Sequence, residues 1–171
     1  LVQPRPIAWV STRSTDGRDN LAPYSYFNAL ASKPPVVMFS SNGSPHSIRN
    51  ARDTGEFVVN MVSEELADVM NATATKDDVD EFERAGLEKA ACHVVAAPRV
   101  AIAPASFECK LLQIVDLPGD DNKMAIGEVV GVHINDAILV DGLVRNWTPL
   151  ARLGYMDYTA VRDVFSISRP K

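Results

Sequence analysis

Residues 20–41, NLAPYSYFNALASKPPVVMFSS, limit the fold more than any other stretch. Two strand-type apolar runs lie in it, one through Leu21, Tyr24, Tyr26 and Phe27, the other over Val36-Val37-Met38-Phe39. Ser32-Lys33-Pro34-Pro35 separates them, and a double proline removes ladder donors, so regular pairing is not expected there. The first run has an unusual filling: Asn20, Tyr24, Ser25, Tyr26 and Asn28 stand beside Ala22, Ala29 and Ala31. A strand made only for the core favours Val and Ile. This one suits close approach to something flat, although an edge strand ending in a Pro-Pro turn accounts for the same residues equally well.

The flanking chain is also of strand type. Ile7 to Thr12 reads as a strand, with Pro4 and Pro6 tolerable only at a strand start or edge. Asp16-Gly17 is a turn signal that joins it to the segment from Asn20 as a hairpin. Ser44 reads as an N-cap and Pro45 as the first helical residue of a helix running to Thr54 and closed by Gly55. Phe57 to Val62 is a strand. Ser63 caps a short helix carrying Leu66, Val69 and Met70, and Asp78 with Glu81 forms a capping-box pattern before a third helix that stops at Gly86. Residues 94–104, with Pro98 and Pro104, are expected on the surface. Phe107, Cys109 and Leu111 alternate with Glu108 and Lys110, so 106–115 reads as a half-buried strand. Residues 117–122 form a turn. Met124 to Ile134 is a strand with bends or bulges at Gly127 and Gly131, and Ile138-Leu139-Val140 follows. Strands with short turns and helices inserted in mid-chain predict a mainly β, antiparallel closed barrel with helical additions. At 171 residues the chain reads as one domain.

Composition excludes several functions. A net charge of −5 argues against a broad nucleic-acid surface. No apolar run approaches the ~20 residues needed to span a bilayer, and no signal peptide pattern is present. Cys92 and Cys109 form no CxxC and have no histidine at ligand spacing, so neither a disulfide framework nor a zinc site is expected, and the location expected is cytoplasmic. The chain begins at Leu1 rather than Met, so further N-terminal residues are expected. GxSxG, HExxH and Walker patterns are absent, and His46, His93 and His133 lie in three different contexts, with structural or surface roles expected for His93 and His133. Any catalysis is therefore expected to rest on a cofactor. An anion site is the remaining signal. Ser40, Ser41 and Ser44 precede a helix N-terminus, whose free N–H groups and dipole attract anions, and Arg49 lies one turn inside with Arg52 nearby. Plain capping with a solvated arginine face explains these residues too. A planar ring with a phosphate tail would link the anion site to the stretch suited to a flat partner.

These residues resemble the flavin reductase-like, FMN-binding split-barrel family. The likeness rests on Arg5-Pro6-Ile7-Ala8-Trp9-Val10-Ser11-Thr12, Asn20 to Asn28, Pro34-Pro35, Phe39-Ser40-Ser41 and Thr54-Gly55-Glu56-Phe57-Val58-Val59-Asn60. It continues with Asp80-Glu81-Phe82, Ala85-Gly86-Leu87, Gly127 to Gly131 and Arg152-Leu153-Gly154, and so covers nearly the whole chain. The resemblance implies a six-stranded Greek-key split barrel, and a homodimer with FMN near the subunit interface. By the same resemblance the backbone of Ala22, Pro23, Tyr24, Ser25 and Tyr26 lies along the isoalloxazine ring. Ser11, Thr12, Asn20 and Ser25 are candidates for the ring edge and ribityl chain. Asn28, Ser40, Ser41, Ser47 and Arg49 are candidates for the phosphate, and the segment from Arg152 to Tyr158 closes over the flavin from the same or the other subunit.

One departure stands out. Many relatives carry Lys-Asp-Thr after the serine pair, the lysine being a phosphate contact, whereas this chain has Pro45-His46-Ser47. The resemblance implies an NAD(P)H-dependent flavin reductase that passes electrons through FMN to an acceptor such as a partner oxygenase or redox protein, with no catalytic side chain, no resident metal, and neither a nucleic-acid nor a membrane partner. Two alternatives remain open: a non-catalytic FMN electron carrier, and a split-barrel binding module that has lost FMN along with the lysine.

Overall fold

The computed structural model describes residues 1–43 and 45–170. The N-cap expected at Ser44 falls outside them. The chain forms β1 (Ala8–Arg13), β2 (Asp19–Tyr24), β3 (Phe27–Ser32), β4 (Pro35–Ser41), α1 (His46–Thr54), β5 (Glu56–Met61), α2 (Ala67–Ala72), α3 (Glu81–Arg84), β6 (Ala105–Asp116), β7 (Lys123–Ile134), β8 (Leu150–Arg152) and β9 (Tyr158–Ala160), with shorter pieces between. The main sheet is antiparallel and runs in the order β2-β1-β5-β6-β7-β4-β3.

The stretch expected to be one strand over 21–27 is broken at Ser25-Tyr26, and its halves, β2 and β3, occupy the two opposite edges of the sheet. Counted as one bent strand they complete six strands; counted separately the sheet has seven. The sheet curls so that its edges approach here, since only Ser25-Tyr26 separates the end of β2 from the start of β3; the Ser40 N–H, which donates to Tyr26 C=O at 2.8 Å, extends the β3–β4 ladder up to the break. The barrel therefore closes, without a continuous ladder, at the residues whose filling is least like a core strand. The Pro34-Pro35 expectation also changes: β3 and β4 pair up to Ser32 opposite Pro35, so Lys33-Pro34 is a tight hairpin turn.

β1 is hydrogen-bonded to β2 on one side and β5 on the other, and both of its faces are covered. Ala8 and Val10 point into the barrel, against Phe39, Phe57, Val59 and Cys109; Ile7 and Trp9 point outward under Met70, Phe82 and Leu150. Trp9 Nε1 donates to Thr73 Oγ1 at 2.9 Å, which ties the chain after α2 to the outside of the barrel. The bulges expected near Gly127 and Gly131 occur as register shifts between β6 and β7. A Cβ at Gly127 would lie 2.5 Å from the Phe57 ring, so any side chain there must displace a core aromatic.

The helix ends differ slightly from the pattern. Pro45 is the N-cap of α1 rather than its first residue, and Gly55 closes the helix in the left-handed region at φ 75°. Asp80, not Asp78, caps α3 through the N–H groups of Phe82 and Glu83, while Asp78 is exposed and pairs with Arg18. A larger correction concerns residues 94–104. Val95, Ala97 and Val100 are buried, so this segment is packed rather than superficial. The reason is Glu108, which the alternation places on the polar face of β6 but which is fully buried. Its carboxylate accepts from the N–H groups of His93, Val94 and Val95 at 2.9, 2.6 and 3.0 Å, and so straps the loop over the sheet.

Candidate functional site

β2 is an edge strand, and Pro23 has no N–H to offer a neighbour. Its outer backbone side is thus free of ladder partners up to the break at Ser25-Tyr26, and a recess of about 680 Å³ forms there. One wall is Ile7 with Pro23, Tyr24, Ser25 and Tyr26. A second is the face of α2 and the chain after it, Ala67, Asp68, Met70, Asn71 and Ala74. A third comprises Arg5, Arg152, Tyr155, Met156 and Tyr158. The third wall is held by a small separate sheet in which Arg5 pairs with Arg152, and Arg152 with Tyr158. Arg152 lies 4.5 Å over the Tyr158 ring and donates to the Tyr158 hydroxyl and to Tyr155 C=O. Arg5 donates from Nε to Ser25 Oγ at 3.4 Å and lies 5.3 Å from the Tyr26 ring centre. The result is a slot with an apolar floor and two guanidinium groups on one side.

Tyr24 is also a wall of a second recess, of about 260 Å³, at the N-terminus of α1. Asn20, Ala22, Pro45, His46, Ser47 and Arg49 line it, joined from the chain after α2 by Thr75, Lys76 and Asp77, and by Glu81. Pro45 has no side-chain acceptor and the first turn carries no acidic residue, so nothing in that turn opposes the positive end of the helix dipole. Ser47 Oγ donates to Asn20 Oδ1 at 3.1 Å. Glu81 is buried and accepts from the Leu21 N–H at 3.0 Å. Burial raises the pKa of the Tyr24 phenol; Glu81 adds to this, and Ser47 and Ser41 at its hydroxyl only partly offset it. Tyr24 therefore remains a neutral donor between the two recesses.

Most of the residues expected from the sequence converge here, but not all. Pro23, Tyr24, Ser25, Tyr26, Arg152 and Tyr158 line the larger recess, the last two from the same chain as the first four. Asn20, Ala22, Tyr24, Ser47 and Arg49 line the smaller. Ser41 lines neither, and its hydroxyl donates to Asn42 C=O at 3.1 Å. Ser40 pairs with Met124 inside the sheet. Ser11 is buried and tied to Pro98 C=O at 2.5 Å and to Asn60, and Thr12 is buried and accepts from Asn50. Asn28 is exposed on β3 and bonds the N–H of Ala29. Ser11, Thr12, Asn28 and Ser40 line neither recess.

Sequence reasoning missed the α2 wall, Arg5 and Lys76. Ala67, Asn71 and Ala74 stand at i, i+4 and i+7, a small-residue helical face that periodicity alone can find. Lys76 follows a Thr-rich loop with no motif, so no local signal marked it. It lines the same recess as Arg49 and His46, together with Asp77 and Glu81, and so adds a cation at the helix end that lacks the family lysine.

Comparison with known proteins shows the family and the fold. The profile of the Flavin reductase like domain matches residues 3–149. An uncharacterized protein of Aquifex aeolicus (strain VF5) is 44% identical over 164 residues, covering 90% of this chain and 83% of that protein. Nitrilotriacetate monooxygenase component B from Bacillus cereus superposes with a TM-score of 0.92 at 30% identity, over 97% of this chain and 88% of that one. Pseudomonas fluorescens 2-nitrobenzoate 2-nitroreductase NbaA does so with a TM-score of 0.89 at 31% identity, over 99% and 86%. The mainly β sheet with its edges meeting at residues 25–26 is the split-barrel architecture.

Proposed function

The chain belongs to the flavin reductase-like domain family, and from that premise we propose that it is an FMN-dependent oxidoreductase supplied with electrons by NAD(P)H. One observation carries this reading: an apolar slot and an anion-attracting recess share the wall Tyr24. That is the arrangement a planar ring with a phosphate tail requires. Bound FMN would supply the redox chemistry, taking hydride from the nicotinamide and passing electrons onward.

The protein's own part is binding and electrostatics. Pro23 to Tyr26 with Ala67, Met70 and Ala74 hold the flat ring and exclude water from it. Arg5 and Arg152 place positive charge at the slot and favour an acceptor that gains negative charge on reduction. The N-terminus of α1, Ser47, Arg49 and Lys76 hold the phosphate. No side chain in the slot needs to act as acid or base. The acceptor is proposed to be a partner oxygenase or redox protein; the monooxygenase-component name of the Bacillus cereus protein supports that class. A cytoplasmic location fits the supply of NAD(P)H, and among the described residues no helix is long and apolar enough to cross a membrane.

The visible spectrum of the purified protein, before and after adding FMN and removing the excess, tests the cofactor. Retained flavin absorbance is expected, followed by fast bleaching on stopped-flow mixing with NADH or NADPH. Retained flavin without direct reduction would replace the enzyme by an electron carrier. Neither binding nor turnover would leave a barrel that has lost FMN.

A homodimer is part of the same proposal. An apolar groove of about 510 Å³ runs between Ala29, Ala31 and Val36 on one side and Phe107, Val130 and Val132 on the other, and Leu30, Val130, Val132 and Ile134 are exposed around it. Apolar surface of this kind is what a second copy would cover. Light scattering at micromolar concentration is expected to give twice the chain mass; the single-chain mass would refute the dimer.

A further inference from the structure

Away from both flavin recesses, β6, β7 and the loop before β6 bring together three donor side chains that no sequence motif connects. The Cys92 thiol, a Glu108 carboxylate oxygen and a His133 ring nitrogen all lie within 4.8 Å of one another. We propose that Cys92, Glu108 and His133 form a binding site for one divalent transition metal ion of the zinc type.

Three features of the site support this. The donor set of thiolate, imidazole and carboxylate is the mixture a borderline-soft ion selects. Glu108 is already fixed in place: its carboxylate accepts from the N–H groups of His93, Val94 and Val95. Of the groups around its carboxylate, three are fixed backbone donors, and only the contact of Oε1 with His133 Nε2, at 2.7 Å, is with a side chain. An ion entering between those two atoms needs His133 to present its lone pair there, with the proton on Nδ1, and displaces no backbone bond. Bonds of about 2.0–2.3 Å place tetrahedral donors roughly 3.2–3.8 Å apart, so Glu108 Oε1 and His133 Nε2, now 2.7 Å apart, must separate to admit the ion, while Cys92, which is only half-buried, closes on it.

The second observation is Arg99. Its Nε is buried with no hydrogen-bond partner among the described residues. A coordinated thiolate would present negative charge to that guanidinium. The thiol proton leaves to solvent on binding. A recess of about 430 Å³ lined by Arg99, His133 and Asn135 reaches one of the three ligands, His133, and the fourth position falls to water.

The test is titration of the chelator-treated, full-length chain with Co²⁺, followed by competition with Zn²⁺. One Co²⁺ per chain is expected, with an intense sulfur-to-cobalt charge-transfer band that Zn²⁺ abolishes. Cys92→Ser is expected to lose the band, and Cys92→Ser and His133→Gln each to weaken binding by roughly 10–100-fold or more. His133→Gln retains a donor to Glu108, and unchanged circular dichroism in both variants separates loss of a ligand from loss of fold. Absence of the band, or binding equally strong in both variants, overturns the site and assigns the ion to surface carboxylates. The titration reads cobalt rather than flavin, so its outcome is independent of the FMN proposal.

Discussion

Replacing Glu108 with alanine is expected to cost about 3–5 kcal/mol of folding stability, the largest loss of any single polar change in the chain. The substitution leaves the N–H groups of His93, Val94 and Val95 without their acceptor and His133 without its partner, in a place water reaches poorly. It also releases the strap that packs Val95 and Ala97 against Val58. Glu108→Gln is expected to be nearly as damaging, because its NH₂ group meets backbone N–H donors. Urea unfolding of chelator-treated protein is the measurement, with Asp120→Ala, on an exposed turn, as the control expected to stay within ~0.5 kcal/mol. A Glu108→Ala loss no larger than the control's would show that the loop is held by packing alone. The sign of the pH dependence follows from a carboxyl whose pKa is lowered on folding, to about 2. Its stabilisation is complete above the unfolded carboxyl range, near ~4.3, and disappears as pH falls through about 2.

For Arg49→Ala the expected result is a selective loss: FMN weakened by roughly 10–100-fold, riboflavin by less than about threefold. Arg49 lies one turn into α1 and lines the small recess, where it meets the anionic tail but not the ring. Lys76→Ala, on a loop that reaches the same recess, is expected to act in the same direction with a smaller factor, since a lysine ammonium meets phosphate as a point charge rather than a two-pronged fork. Titration of apoprotein by flavin fluorescence quenching distinguishes the ligands. Equal weakening of FMN and riboflavin by Arg49→Ala would remove Arg49 from the phosphate site and leave the helix N-terminus with Ser47 to account for it.

Much of the site could be read from local patterns, and the exceptions share a cause. Tyr24, Ser25 and Tyr26 were conspicuous because their filling does not suit a core strand, and they form the seam where the barrel edges meet. Arg49 followed from helix-start logic, which is local, whereas Ser47 came only from the family resemblance. Ser11 and Thr12 share that polar filling but sit on a strand with neighbours on both sides, so their hydroxyls serve Pro98, Asn60 and Asn50 instead. Asn28 lies past the break, on the opposite edge of the sheet. A period-two pattern cannot show on which side of a break a residue falls.

The sequence by itself determined the mainly β class, the strand after Pro34, the bulges at Gly127 and Gly131, and the helix that ends at Gly55. Each depends on residues within a few positions of one another, through backbone sterics, alternation or unpaired N–H groups. The tertiary structure alone decided that residues 20–32 bridge both edges of one sheet, that Lys76 lines the same recess as Arg49, and that Glu108 is buried with Cys92 and His133 around it. Those outcomes depend on long-range strand order and on a loop covering one face of β6. Alternation distinguishes the two faces of a strand, but whether water or another segment covers each face is settled by packing.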